Sequence, residues 1–225
     1  RTIIENAARE PEIQDLCLML NKMGAQIRGY GDSTIIIDGV ERLSGCKHKV
    51  IPDRIEAGTF LIASAATLSN ITIGPVIPNH LESVLEALKE AGSKIDIKGN
   101  KITIKTKEIK SVSIKTAPFP GFPTDLQAPF TSLMTIAKGK SEVTETIYEN
   151  RMGHVNLLNR MGASIQLVDN TAIIQGVDEL NGQNLKGSDL RSTAALIIAA
   201  LSAKNTSYIG GLDHLDRGYE CLESK

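Results

Sequence analysis

The sequence predicts an α/β (α+β) fold built from repeats of about 70 residues, with helices packed inward about a shared core. Three observations predict it. A helical apolar pattern closing on glycine occurs as MLNKMGA at residues 19–25, ALKEAGS at 87–93 and LLNRMGA at 157–163. A second helix type, apolar almost all round and therefore expected to be buried, follows each of Asp53, Asp125 and Asp189. A β-branched stretch ahead of a glycine turn is duplicated almost position for position in TIIIDGVERL (34–43) and TAIIQGVDEL (171–180).

Residues 1–50 read as the end of one unit, with a helix closing at Gly24, the strand AQIRGY and the hairpin strand TIIID. Glycine just past the last helical turn adopts the left-handed conformation that lets the chain turn, so Gly92 and Gly162 are expected to act likewise. Residues 51–115 read as a complete unit: buried helix DRIEAGTFLIASAATL, strand NITIGPVI, amphipathic helix, strand SKIDIKG, a second strand and a further short one. Residues 116–185 repeat this with DLQAPFTSLMTIA, SEVTETIY, an amphipathic helix and ASIQLVD. Residues 186–225 begin a further unit with DLRSTAALIIAALSA and TSYIGG and stop before its closing strands, so the chain reads as incomplete at both ends of its own repeat. Each aspartate stands where a side chain caps the free N–H groups of a first turn.

Composition narrows the function. Hydrophobic residues at 41%, charged residues at 23% and a net charge of −1 are those of a soluble globular protein, and no run nears the roughly 20 apolar residues that span a bilayer. Near-neutrality, the absence of Trp and 4% aromatics argue against nucleic acid as a partner. Cys17, Cys46 and Cys221 are an odd number without CxxC spacing, which fits a reducing cytoplasm. His48, His80, His154 and His214 lack metal-ligand spacing, and neither GxGxxG nor a P-loop occurs, so no metal, dinucleotide or ATP is indicated. With Arg1 first, and neither an initiator Met nor an apolar leader, the chain is expected to be a piece of something longer.

Six strings carry a resemblance: IIENAAREPEI (3–13), PDRIEAGTF (52–60), FPTDLQAPFT (122–131), ETIYENRMGHV (145–155), SDLRSTAALI (188–197) and DRGYE (216–220). Together with the repeat they resemble the enolpyruvyl transferase family, in the branch that acts on UDP-N-acetylglucosamine. The resemblance implies an inside-out α/β barrel with interior helices, incomplete here. It implies transfer of the enolpyruvyl group of phosphoenolpyruvate to the sugar 3-hydroxyl with release of phosphate, the first committed step of peptidoglycan precursor synthesis, in the cytoplasm and without a cofactor. Family members are about twice this length. By resemblance, 1–50 would be the last unit of the UDP-sugar-side domain, and 51–225 most of the phosphoenolpyruvate-side domain, in units 51–115, 116–185 and 186–225. The missing remainder would carry the reactive loop cysteine, whose motif none of the three cysteines matches, so the isolated chain is expected to be inactive.

The same resemblance assigns roles. Asp125 would be the base or hydroxyl-orienting group, a task that suits a carboxylate within hydrogen-bond reach. Arg151, Arg191 and Arg217 would hold phosphoenolpyruvate, because a guanidinium fork pairs with carboxylate and phosphate and keeps its charge. Arg217 would lie nearest the phosphate, with a catalytic role. Each arginine is expected at or near a helix N-terminus, where anions are already favoured. Thr124, Asp125, Ile147 and Tyr148 would line the UDP-sugar cleft. The plain structural reading of Asp125 is a helix cap like Asp53 and Asp189. Two other functions compete: a shikimate-3-phosphate enolpyruvyl transferase, and a non-catalytic repeat domain.

Overall fold

The computed structural model describes residues 1–225. The chain divides into two compact units, Arg1–Pro52 with Pro118–Gly121, and Asp53–Ala117 with Phe122–Lys225.

The first unit runs β1 (Thr2–Glu5), α1 (Pro11–Lys22), β2 (Gln26–Arg28) and β3 (Thr34–Asp38). Pro11 opens α1, where its missing N–H leaves no bond unmade and its ring presets a helical φ. The helix ends at Gly24 with φ +102°, and Ala25 N–H closes the turn onto the Leu20 carbonyl. Asn21 then fixes the next strand: its side-chain amide donates to the Ile27 carbonyl and its Oδ1 accepts from Ile27 N–H, both at 2.8 Å. β3 lies between β1 and β2, antiparallel to both, and Cys17, Ile27 and Ile35 form the buried centre.

The second unit runs α2 (Arg54–Ala66), β4 (Asn70–Ile73), α3 (Glu82–Glu90), β5 (Lys94–Lys98), β6 (Lys101–Lys105), β7 (Ile114–Lys115), α4 (Gln127–Met134), β8 (Lys140–Thr144), α5 (His154–Arg160), β9 (Ser164–Val168), β10 (Thr171–Gln175), β11 (Asn184–Lys186), α6 (Leu190–Ser202), β12 (Tyr208–Gly210) and α7 (Leu212–Leu215). α2, α4 and α6 pack on one another, and every residue of α4 is buried. Gly58 on α2 permits the close approach, since a Cβ there would lie 2.3 Å from Leu126 Cδ1. The Ser132 hydroxyl donates to the Ala195 carbonyl at 2.8 Å and joins α4 to α6. Leu61, Leu126, Phe130, Leu133 and Leu196 are fully buried between these helices, each contributing about 1.5–3 kcal/mol of apolar burial.

The sheets of this unit cover the helices one by one. β4, β6 and β5 pair antiparallel, with Ile71 opposite Ile104 and Ile73 opposite Ile102. β7, β8, β10 and β9 form a second sheet in that order, in which only β7 and β8 are parallel. β11 pairs parallel with β12. The strands close no barrel, because each sheet is hydrogen-bonded only within itself. No helix is long and apolar enough to cross a membrane.

Two of the three aspartates cap as expected. Asp53 accepts from the N–H groups of Ile55 and Glu56 at 2.7 and 3.1 Å, and Asp189 from those of Arg191 and Ser192 at 2.9 and 3.0 Å, completing a capping box with Ser192. Asp125 caps nothing. A 3₁₀ turn over Thr124–Leu126 begins behind Pro123 and delays α4 to Gln127, which takes the Asp125 carboxylate away from the first-turn N–H groups.

Candidate active site

Without a capping duty, Asp125 turns to cations. Its Oδ1 accepts from Arg151 Nη1 and from Arg191 Nε, each at 3.0 Å. Arg191 belongs to the first turn of α6, as its position behind the Asp189 cap requires. Arg151 lies in the loop between β8 and α5, just ahead of His154. It also donates to Thr124 Oγ1 at 2.9 Å, and its guanidinium carbon stands 4.2 Å from the centre of the Tyr148 ring, a cation–π contact.

Arg217 corrects the expectation of a helix mouth. α7 is a single turn opened by Gly211 at φ +91°, and Arg217 follows Asp216, the residue that caps its C-terminal end. No helix N-terminus therefore adds to its pull on an anion. Its side chain nevertheless shares a cavity of about 560 Å³ with Tyr148, Arg151, Asp189, Arg191 and His214. The four residues expected to line a sugar cleft divide: Thr124 and Asp125 lie in the polar cluster beside the cavity, Tyr148 lines the cavity itself, and its exposed neighbour Ile147 does not. Tyr148 meets Arg151 rather than standing free for a ligand ring.

Three site residues carried no individual signal in the sequence. Glu145, at the end of β8 and 1% exposed, receives four hydrogen bonds, from the Thr116 and Thr124 hydroxyls and the Ile147 and Tyr148 N–H groups. Only its place at the head of the ETIYENRMGHV string marked it. Tyr219 is buried with its hydroxyl 2.8 Å from Thr59 Oγ1. Burial pushes its phenol up, against the hydrogen bond with Thr59 and the nearby Arg191 charge. His154 is buried with Nε2 unpartnered. Burial pulls its pKa down to about 4 against the opposing pull of Asp189 and Glu145, so the ring is neutral at pH 7.

Asp189 does not brace the Arg191 guanidinium; it holds the Arg191 backbone N–H. Burial pushes its carboxyl up, but hydrogen bonds from Ser192, Ser188 and the Arg191 N–H outweigh that and leave the pKa below the usual carboxylate range. A second cavity of about 470 Å³ lies at the C-terminal ends of α2 and α6. Its Lys138 pairs with Glu108 at 3.4 Å, and no arginine lines it. The arginines therefore gather at the first cavity. No group of three or more His, Cys, Asp or Glu side chains is arranged to hold a metal ion.

Chemically, three guanidinium groups around one cavity suit a ligand carrying more than one anionic group. Arg151 and Arg191 spend only part of their five N–H donors on Asp125 and Thr124. Asp125 is one-third exposed and uses only Oδ1 on the arginines, leaving Oδ2 as an acceptor for a hydroxyl proton.

The sequence model of the EPSP synthase (3-phosphoshikimate 1-carboxyvinyltransferase) family matches residues 1–225. UDP-N-acetylglucosamine 1-carboxyvinyltransferases of Prochlorococcus marinus strains MIT 9312 and AS9601 are 72% and 71% identical over 225 residues, which is 100% of this chain and 49% of each relative. The chain thus spans about half the length of the curated relatives it matches. Among solved structures, the enolpyruvyl transferase NikO from Streptomyces tendae superimposes with a TM-score of 0.88 at 26% identity, covering 99% of this chain and 54% of that one. EPSP synthase from Acinetobacter baumannii gives a TM-score of 0.65 at 20% identity, covering 89% and 50%, a likeness of fold. With every residue inside the family match, and with arginines and a carboxylate gathered at one cavity, the chain belongs to the EPSP synthase (3-phosphoshikimate 1-carboxyvinyltransferase) family of enolpyruvyl transferases.

Proposed function

We propose that this chain is part of an enzyme that transfers the enolpyruvyl group of phosphoenolpyruvate to the 3-hydroxyl of UDP-N-acetylglucosamine, releasing phosphate. The observation that carries the reading is Asp125 held between Arg151 and Arg191 beside a cavity that Arg217 also lines. The 72% identical relatives of that name support the acceptor. Arg151, Arg191 and Arg217 neutralise the carboxylate and phosphate of phosphoenolpyruvate. Asp125 Oδ2 takes the proton of the sugar hydroxyl as the hydroxyl oxygen bonds to the enol carbon, and an acid supplied by the remainder of the enzyme protonates the methylene carbon. Loss of phosphate, with a proton from the same carbon, regenerates the double bond. Thr124, Ile147 and Tyr148 orient the UDP-sugar.

On this reading residues 1–50 finish the UDP-sugar-side domain and 51–225 supply most of the phosphoenolpyruvate side. α2, α4 and α6 are the inner layer of an inside-out α/β barrel of about 70-residue units, which the remainder of the enzyme completes. The enzyme acts in the cytoplasm at the start of peptidoglycan precursor synthesis.

The test is phosphate release from phosphoenolpyruvate with UDP-N-acetylglucosamine. It uses the 225-residue chain, then a protein of the relatives' full length containing it, then that protein with Asp125→Ala. Release by the full-length wild type alone is expected. Turnover by the isolated chain would overturn its dependence on the remainder, and full activity of Asp125→Ala would remove Asp125 from the chemistry. The name of the matched family raises shikimate 3-phosphate as a second acceptor. Activity with it, and none with the UDP-sugar, would reverse the assignment.

A further inference from the structure

We propose that Glu145 is the positioning residue that sets Arg151 and Tyr148 at the cavity. The proposal rests on the anion-binding reading of Arg151 above.

Glu145 is 1% exposed and has no lysine, arginine or histidine in ion-pair range, an unusual setting for an acid unless hydrogen bonds replace the counter-charge. Its Oε1 accepts from Thr116 Oγ1 at 2.9 Å, Ile147 N at 2.7 Å and Tyr148 N at 3.0 Å, and its Oε2 from Thr124 Oγ1 at 2.7 Å. The backbone of Glu145 is held as well, with its N–H on the Asn170 carbonyl at 2.9 Å and its own carbonyl receiving the Asn170 side-chain amide. The carboxylate is therefore fixed, and the loop hangs from it.

The direction of each hydrogen bond is dictated. Arginine only donates, so Thr124 Oγ1 accepts from Arg151 Nη1 and must send its single proton to Glu145. Thr116 Oγ1 accepts from Thr146 N–H at 2.8 Å and must do the same. All four partners of Glu145 donate, and a group that accepts at both ends is the only one that satisfies them. Arg151 is then located by Thr124, whose hydroxyl Glu145 orients, and by the Tyr148 ring, whose backbone N–H Glu145 holds. Both are consequences of one buried carboxylate.

Glu145→Gln keeps the size and breaks the polarity. Its carbonyl must face the two backbone N–H groups, so its NH₂ faces Thr124 Oγ1, which already accepts from Arg151; the Thr124 proton is left without an acceptor. The expected result in the full-length protein is a rise of about tenfold or more in KM for phosphoenolpyruvate. In an Arg151→Ala background the same substitution should add nothing, because Glu145 acts through Arg151. Thr124→Val, which cuts the link, should reproduce the rise, and Thr124→Ser, which keeps the hydroxyl, should not. This pair carries the test if Glu145→Gln fails to fold.

A structural role alone would lower Tm in Glu145→Gln and leave KM for phosphoenolpyruvate unchanged; that pattern overturns the proposal, as does a rise in KM that is undiminished in the Arg151→Ala background. Direct calorimetric binding of phosphoenolpyruvate separates this from the acceptor assignment. Wild-type protein that binds phosphoenolpyruvate but does not use UDP-N-acetylglucosamine sinks the acceptor, while a weaker affinity in Glu145→Gln still supports the positioning role and an unchanged one overturns it. A wild type that binds no phosphoenolpyruvate overturns both.

Discussion

Asp125 concentrates the electrostatics of the cavity in one atom, since Oδ1 receives both arginines. Its negative charge weakens the pull of those arginines on any anionic ligand. Asp125→Asn is therefore expected to bind inorganic phosphate several-fold more tightly, on the order of 1 kcal/mol for a partly screened neighbour, while phosphate release from phosphoenolpyruvate collapses. Calorimetry and the turnover assay on one variant check both; weaker phosphate binding would mean that Asp125 holds the arginines in place rather than competing with the ligand. The sequence gives Asp53, Asp125 and Asp189 the same local signature, an acid ahead of an apolar helix. What separates them is a 3₁₀ turn behind Pro123 and two arginines 26 and 66 residues further along the chain. Neither is written in the local pattern, so periodicity alone points to a cap and only the FPTDLQA string points to the site. Tyr219 was equally illegible, because its partner Thr59 is 160 residues away.

Helix ends were the most legible elements because their physics is local. Gly24, Gly92 and Gly162 all have positive φ, at +102°, +101° and +95°. Their tolerance should still differ. A Cβ at Gly24 meets nothing within 4 Å, so Gly24→Ala is expected to lose about 1–2 kcal/mol of backbone strain energy alone. At Gly92 the Cβ would stand 2.8 Å from the Glu108 carbonyl oxygen, and Gly92→Ala should unfold at clearly lower denaturant concentration than Gly24→Ala. Equal midpoints would show that φ alone decides. The Asp189 capping box gives a second element-scale prediction. Asp189→Ala is expected to cost about 0.5–2 kcal/mol, a fall in Tm of roughly 2–4 °C per kcal/mol at this chain length, with Asp189→Asn restoring most of it. The parallel pairing of β7 with β8 and of β11 with β12 was not legible. Such short strands are specified by distant partners, and the same dependence on context put Arg217 behind a one-turn helix instead of ahead of one.

For the molecule as a whole, buried His154 ties stability to pH. The unfolded chain binds a proton near the ordinary value of 6.5 and the folded chain resists it down to about 4. The unfolded state therefore holds more protons in that window, and stability complete above pH 6.5 is lost as pH falls towards 4, by on the order of 3 kcal/mol. Denaturation at a series of pH values should lose this slope in His154→Gln; an unchanged slope would assign it to other groups. The α/β succession of elements could be anticipated because apolar periodicity repeats along the chain, whereas the separation of the strands into unconnected sheets depends on edges that no periodicity encodes. The chain also contains no tryptophan, and the exposed Tyr148 ring lies under the Arg151 guanidinium at the rim of the cavity. Tyr148→Trp would thus install a single indole, a stronger partner for a cation than phenol, in a chain whose other emitters are tyrosines. Its emission would change when the guanidinium leaves the ring for a ligand, making occupancy of the cavity visible in real time.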